Sequence, residues 1–419
     1  MPAPAITLDT ECLLAQLHEL GTVGLEPVGG GRTRIAFTDA DRAGRDLLCR
    51  WIQELGLELR VDQIGNVLGV LPGGPAGTDT PALMMGSHID TVRHAGALDG
   101  CYGVLAGLAV LRAYREAGVR PARPLVVAAF SNEEGVRYQP DMMGSLVYAG
   151  GLALQTALNT VGTDGTRLGD ELARIGYAGP MLPGSLVPHT YLELHIEQGP
   201  LLEAEGRRIG VVDSLQGISW QRIAIEGVAN HAGTTPTRLR HDAGYAAAAC
   251  VAFLREQVVA AAPDSTLATV GSLRLEPDLI NVIPRLATFT VDLRDPDESR
   301  LQAAEQALAG FLERLAEREG VRIRTERLVR FEPVVFDAAL AGRIEQAAER
   351  RGLSHRRMSS GAGHDAQMIA RIAPSAMIFV PSRGGISHNP REHTDDDQLI
   401  AGAQVLLDVV QDCLAQPVP

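Results

Sequence analysis

Unbroken apolar runs at residues 81–85, 125–130 and 376–380 each lead within a few positions into a polar motif. Runs of this length without alternation predict strands buried on both faces, as in a parallel sheet. Helical periodicity is expected at 8–20 and 39–55, on either side of a loop containing Gly29, Gly30 and Gly31, with Asp39 or Asp41 as N-cap of the second helix. Strands are expected near 57–61 and 66–71, then a Pro/Gly/Thr-rich turn at 72–81 and a helix of small apolar residues at 102–116.

The pattern changes after Gly210. Segments 219–226, 267–275 and 286–293 alternate apolar and polar residues, as a half-exposed antiparallel sheet would. Between them, 243–262 and 300–320 are Ala-rich and helical in pattern, and from about Phe331 the chain returns to α/β character, ending in a helix at 396–414. The expected fold class is α/β: a catalytic domain with a mixed, largely parallel sheet, carrying an inserted α+β domain of antiparallel sheet plus two helices. Polar motifs from both ends of the chain must meet at one site, so residues 1–216 and 331–419 are assigned to one domain and 217–330 to the insert.

Composition narrows the classes. The chain has 419 residues, 45% hydrophobic and 21% charged, which suits a globular protein with more than one core. A net charge of −13 with no basic run argues against a nucleic-acid surface. All 38 basic residues are Arg, so lysine-dependent chemistry such as Schiff bases, a Walker lysine or a carbamylated-lysine metal bridge is excluded. Five scattered Cys without CxxC spacing suggest reduced thiols in a cytoplasmic protein. No signal peptide and no apolar stretch of membrane-spanning length is expected.

The chemistry is concentrated in five short motifs: GSHIDTV (86–92), ALDG (97–100), SNEEG (131–135), ELHIEQG (193–199) and ISHNP (386–390). Imidazoles and carboxylates gathered at the carboxyl ends of parallel strands lie where α/β active sites form, and they are the donors that zinc and similar ions take. Two such ions sharing a carboxylate can clamp both the attacking and the developing oxygen.

With NHAGTTP (230–236) and SGAGHDA (360–366), these motifs resemble the M20-type metallohydrolases, and specifically their carbamoyl amidohydrolase branch. That branch comprises N-carbamoyl-L-amino acid hydrolases, allantoate amidohydrolases and β-ureidopropionases. The resemblance runs in consistent order from about His88 to the C-terminus. It implies two divalent ions per subunit (Zn, or Mn, Co or Ni), one held by His88, Asp99 and His195, the other by Asp99, Glu134 and His388. It implies Glu133 as the general base that activates water and protonates the leaving nitrogen, with Asp90 orienting His88.

For substrate, the resemblance implies that His231 and Asn281 of the insert polarise the scissile carbonyl or bind substrate, and that Arg294 grips a carboxylate through a bidentate pair. Gln198, the Gly361, Ala362 and Gly363 backbone, and His364 are further substrate-contact candidates. The expected partner is a small anionic ureido substrate, with no nucleic acid and no membrane. A homodimer through the insert, with His231 serving the partner's site, and closure of the insert over the metals are implied. The expected reaction is hydrolysis of an N-carbamoyl-L-amino acid; allantoate hydrolysis is the nearest rival, β-ureidopropionase the next, and a silent binding protein the rival from outside enzymology. One departure is GVRY (135–138), where many relatives have Ser and Phe.

Overall fold

A computed structural model describes residues 6–74, 80–263 and 265–415. The expected turn at 72–81 therefore lies partly outside the described residues. The chain separates into two compact units, Met1–Asp213 with Phe336–Pro419, and Ser214–Val335.

The first unit is built on a mixed sheet. Its order is Glu58–Val61, Val67–Leu71, Leu125–Phe130, Ala82–His88, Pro188–Ile196, Ser375–Val380, Ile209–Leu215. The inner four strands, Leu125–Phe130 through Ser375–Val380, run parallel, and the flanking strands run antiparallel. The three apolar runs form inner strands in which every residue is buried, which is why their sequences do not alternate.

The helix Cys101–Glu116 packs on this sheet with 13 of its 16 residues buried, so it is apolar nearly all round. A Cβ at position 103 would stand 2.4 Å from the carbonyl oxygen of Leu194. Only glycine lets helix and strand approach this closely. The helix Asp396–Leu414 is tied to it by Tyr102 Oη, which donates to the Leu399 carbonyl at 2.5 Å.

Two local expectations are corrected. The helix Asp39–Glu54 is capped by Thr38, whose Oγ1 accepts from the Asp41 amide. Asp41 instead is fully buried, accepting from the Phe37 amide at 2.7 Å and from Arg45 Nε at 2.8 Å. The expected strand at 267–275 is two, Leu267–Thr269 and Leu273–Glu276, separated around Gly271.

The second unit is an antiparallel sheet ordered Arg322–Phe331, Gly217–Glu226, Leu286–Asp295, Leu267–Thr269, with Leu273–Glu276 also pairing to Leu286–Asp295. Alternate residues of Leu286–Asp295 are buried. Ala243–Phe253, prolonged by a π-helical turn at Leu254–Val259, and Glu298–Glu319 supply the helical side of a core that includes Ile223, Ile225, Phe289, Val291, Leu308 and Leu312. Among the described residues no helix is long and apolar enough to cross a membrane.

Candidate metal centre

Strand ends deliver the site. His88 closes Ala82–His88, His195 sits near the end of Pro188–Ile196, and Glu133 and Glu134 follow Leu125–Phe130 in a loop. Asp99 precedes the helix Cys101–Glu116, and His388 lies in the loop after Ser375–Val380. Two triads have ligand atoms within 4.8 Å of one another: His88, Asp99, His195 and Asp99, Glu134, His388. Asp99 belongs to both. Its Oδ1 is 3.2 Å from His195 Nε2 and 3.5 Å from His88 Nε2, and its Oδ2 is 3.0 Å from His388 Nε2. Glu133 is in neither triad, yet its Oε2 is 3.5 Å from His88 Nε2.

The hydrogen-bond pattern fits a cation. His88 Nδ1 is paired with the Asp90 carbonyl at 2.9 Å and His195 Nδ1 with the Ile196 carbonyl at 2.8 Å. A carbonyl only accepts, so each Nδ1 carries a proton and Nε2 is the ring nitrogen that faces Asp99. Imidazole nitrogens and carboxylate oxygens facing each other at these distances need a positive charge among them, a proton on Nε2 or a bound cation. The cavity they line, with Asp141, Gln198, Ala362, Gly363 and His364, measures about 190 Å³ and has no Arg in its lining. Burial, with Asp99 adding, pushes Glu134 up to about 8, and burial raises Glu133 well above the usual carboxylate range. The hydrogen bond to Asp99 raises His388 to about 9. Imidazole nitrogen with carboxylate oxygen, one carboxylate shared, is a donor set for borderline divalent ions.

The profile of peptidase family M20/M25/M40 matches residues 84–412. The chain belongs to this family. It is 38% identical to the N-carbamoyl-L-amino-acid amidohydrolase of Rhizobium meliloti over 96% of both chains. It is 35% identical to the allantoate amidohydrolase of Bacillus subtilis (strain 168), over 91% of this chain and 92% of that one. A crystal structure of a hydantoinase/carbamoylase family amidase from Burkholderia multivorans superposes with a TM-score of 0.94 at 41% identity, covering 99% and 100% of the two chains.

Other predicted residues of this M20 chain take positions the motifs did not disclose. The Asp90 backbone carbonyl, not its carboxylate, bonds His88; the nearest carboxylate oxygen is 3.8 Å away. The carboxylate accepts from the amides of Glu133 (3.2 Å) and Glu134 (3.3 Å) and so fixes the neighbouring loop. Gln198 donates through Nε2 to Asp99 Oδ2 at 2.9 Å. The Ala362 amide already donates to Ser360 Oγ at 3.1 Å, so it is not an open donor, although Ala362 and Gly363 line the cavity. His364 is buried, packs edge-on to His195 with ring centroids 4.6 Å apart, and is kept neutral by that burial.

The second unit carries the remaining candidates. The His231 and Val282 backbones form a bridge, and Ala232 donates to the Asn281 carbonyl at 2.9 Å, so the two segments lie side by side. His231 Nδ1 accepts from the Gly233 amide at 3.0 Å, which leaves the proton on Nε2. Arg294 is held by Asp292 on the same face of its strand, at 2.9–3.1 Å.

Two residues of the site were not found from sequence. Glu392 Oε1 accepts from the amides of Leu98 (2.9 Å) and Asp99 (3.2 Å), and its Oε2 accepts from Ser387 at 2.8 Å, tying the Asp99 loop to the His388 loop. Asp141 lines the cavity. For Glu392 the one signal was its place just beyond the ISHNP motif, which closes at Pro390.

Gly100 makes the site sensitive to a single methyl group. Its φ is +65°, its amide donates to His195 Nε2 at 3.0 Å, and a Cβ there would lie 2.4 Å from His88 Nε2. Gly100→Ala should add about 1–3 kcal/mol of backbone strain and displace the His88 ring. Metal content measured by plasma mass spectrometry should fall with activity; full occupancy and turnover would show that the ring has room.

Proposed function

We propose that this protein is a metal-dependent amidohydrolase that cleaves the carbamoyl C–N bond of an N-carbamoyl-L-amino acid, giving the L-amino acid, carbon dioxide and ammonia. The observation that carries this reading is Asp99 shared between two ligand triads, with Glu133 beside them and in neither. Likeness over 96% of both chains to an N-carbamoyl-L-amino-acid amidohydrolase supports the substrate class.

His88, Asp99, His195, Glu134 and His388 would hold two divalent ions, which when bound would supply Lewis-acid polarisation and a water that ionises near neutral pH. Glu133 takes the proton of the attacking water and returns it to the leaving nitrogen. His231, whose Nε2 carries the ring proton, donates to the oxyanion as the tetrahedral carbon forms, and Asn281 binds the same carbonyl. Arg294, aligned by Asp292, pairs with the substrate carboxylate. We assign the second unit the lid and dimerisation role.

The second reading is allantoate hydrolysis, favoured by the 35% identity to the allantoate amidohydrolase of Bacillus subtilis. Ammonia release from N-carbamoyl-L-methionine, its D-isomer and allantoate by Mn- or Zn-loaded protein separates them. We expect release from the L-carbamoyl compound and none from the D-isomer. Release from allantoate alone would move the substrate and leave the centre's chemistry in place.

A further inference from the structure

The cavity at the metal centre is lined by four carboxylates, and three are already engaged, Asp99 and Glu134 in the triads and Glu133 as proton carrier. The fourth, Asp141, belongs to neither triad. Among the described residues the one group close enough to donate to its carboxylate is its own backbone amide. Its backbone is nonetheless held on both sides. Asn132 Nδ2 donates to the Pro140 carbonyl at 3.4 Å, and the Met142 amide donates to the Glu133 carbonyl at 2.6 Å. Gly135 packs against it so closely that a Cβ at 135 would stand 2.8 Å from Asp141 Cα. The result is a pinned, half-buried anion on the wall of a cavity that has no Arg in its lining.

A partly desolvated carboxylate with no donor beyond its own amide favours a ligand that brings N–H groups and disfavours one that brings another anion or a hydrocarbon. We propose that Asp141 is a specificity-determining residue that selects ureido substrates whose second substituent ends in N–H donors, such as a primary amide, an amine or a further ureido group. This deepens the amidohydrolase reading and rests on it. The α-carboxylate is left to Arg294, so the substrate's two ends are told apart by opposite charges. Burial also raises the Asp141 carboxyl, which agrees with a group short of partners. Allantoate, with two ureido groups on one carbon, falls in the same donor-rich class as an amide side chain.

Three substrates of nearly one shape isolate the effect: the N-carbamoyl derivatives of L-asparagine, L-leucine and L-aspartate. The wild-type enzyme should show kcat/KM in the order asparagine, leucine, aspartate, with about 10- to 100-fold between the first two, the range for a hydrogen bond to a charged group. Asp141→Leu should reverse the first pair, and Asp141→Asn should raise the aspartate derivative relative to the others. Metal content and melting temperature are measured on each variant, so a folding loss is recognised. Allantoate, run in parallel, should fall relative to the leucine derivative in Asp141→Leu. Equal ratios in wild type and variants would remove Asp141 from selection while leaving the amidohydrolase reading intact. Absence of turnover of every ureide would overturn both.

Discussion

Glu133→Gln is expected to lower kcat by roughly 10²- to 10⁴-fold, about 3–5 kcal/mol in the barrier, while metal content stays at the wild-type level. The exchange keeps the shape of the side chain and removes only its capacity to accept a proton. Glu133 suits this test because its backbone is fixed independently of its carboxyl: its amide donates to Asp90 Oδ1 at 3.2 Å and its carbonyl accepts from Met142 at 2.6 Å. Its neighbour in sequence does different work. Glu134 Oε1 accepts from the Val92 amide at 3.2 Å and its Oε2 lies 3.5 Å from His388 Nε2. Glu134→Gln should therefore lose metal as well as rate. Plasma mass spectrometry beside steady-state ammonia release distinguishes the two. A Glu133→Gln protein that turned over at the wild-type rate would take Glu133 out of the reaction.

What could be read in the sequence follows from what burial forces on composition. The inner strands are buried on both faces, so their apolar runs are unbroken and their ends stand out as polar motifs. The strand Arg322–Phe331 was missed for the converse reason. It lies at one end of the second sheet and is largely exposed, so its Arg and Glu positions carry no apolar period. The donor motifs were legible because metal donors are drawn from few residue types, whereas their grouping into two triads came from the resemblance to the M20-type metallohydrolases. The orientation of the His rings was not, since the Asp90 and Ile196 carbonyls that bond them are backbone atoms that any residue has. Gln198 illustrates the same limit: its type suggests a substrate contact, and only the fold brings its Nε2 to Asp99. Glu392 and Asp141 lie in loops that no local period marks.

The shared carboxylate gives the second large effect. Asp99 is 4% exposed, and its two oxygens between them face three imidazoles and the Gln198 amide. Although burial works against its charge, the His195, His388 and His88 imidazoles that face it hold its carboxyl well below the usual range. Asp99→Asn replaces one oxygen with an NH₂ group, which must point a donor at either His388 or the His88 and His195 pair. Either orientation spoils one triad, and the lost charge weakens both. Changes to groups that only support a ligand cost about 10- to 100-fold in metal affinity, so loss of a ligand common to two sites should exceed that for both ions. His388→Ala, which touches one triad, should weaken one ion and spare the other. Chelator competition on the purified variants reads this without reference to turnover. If Asp99→Asn bound two ions with wild-type affinity, Asp99 would be a neighbour of the metals and not their bridge.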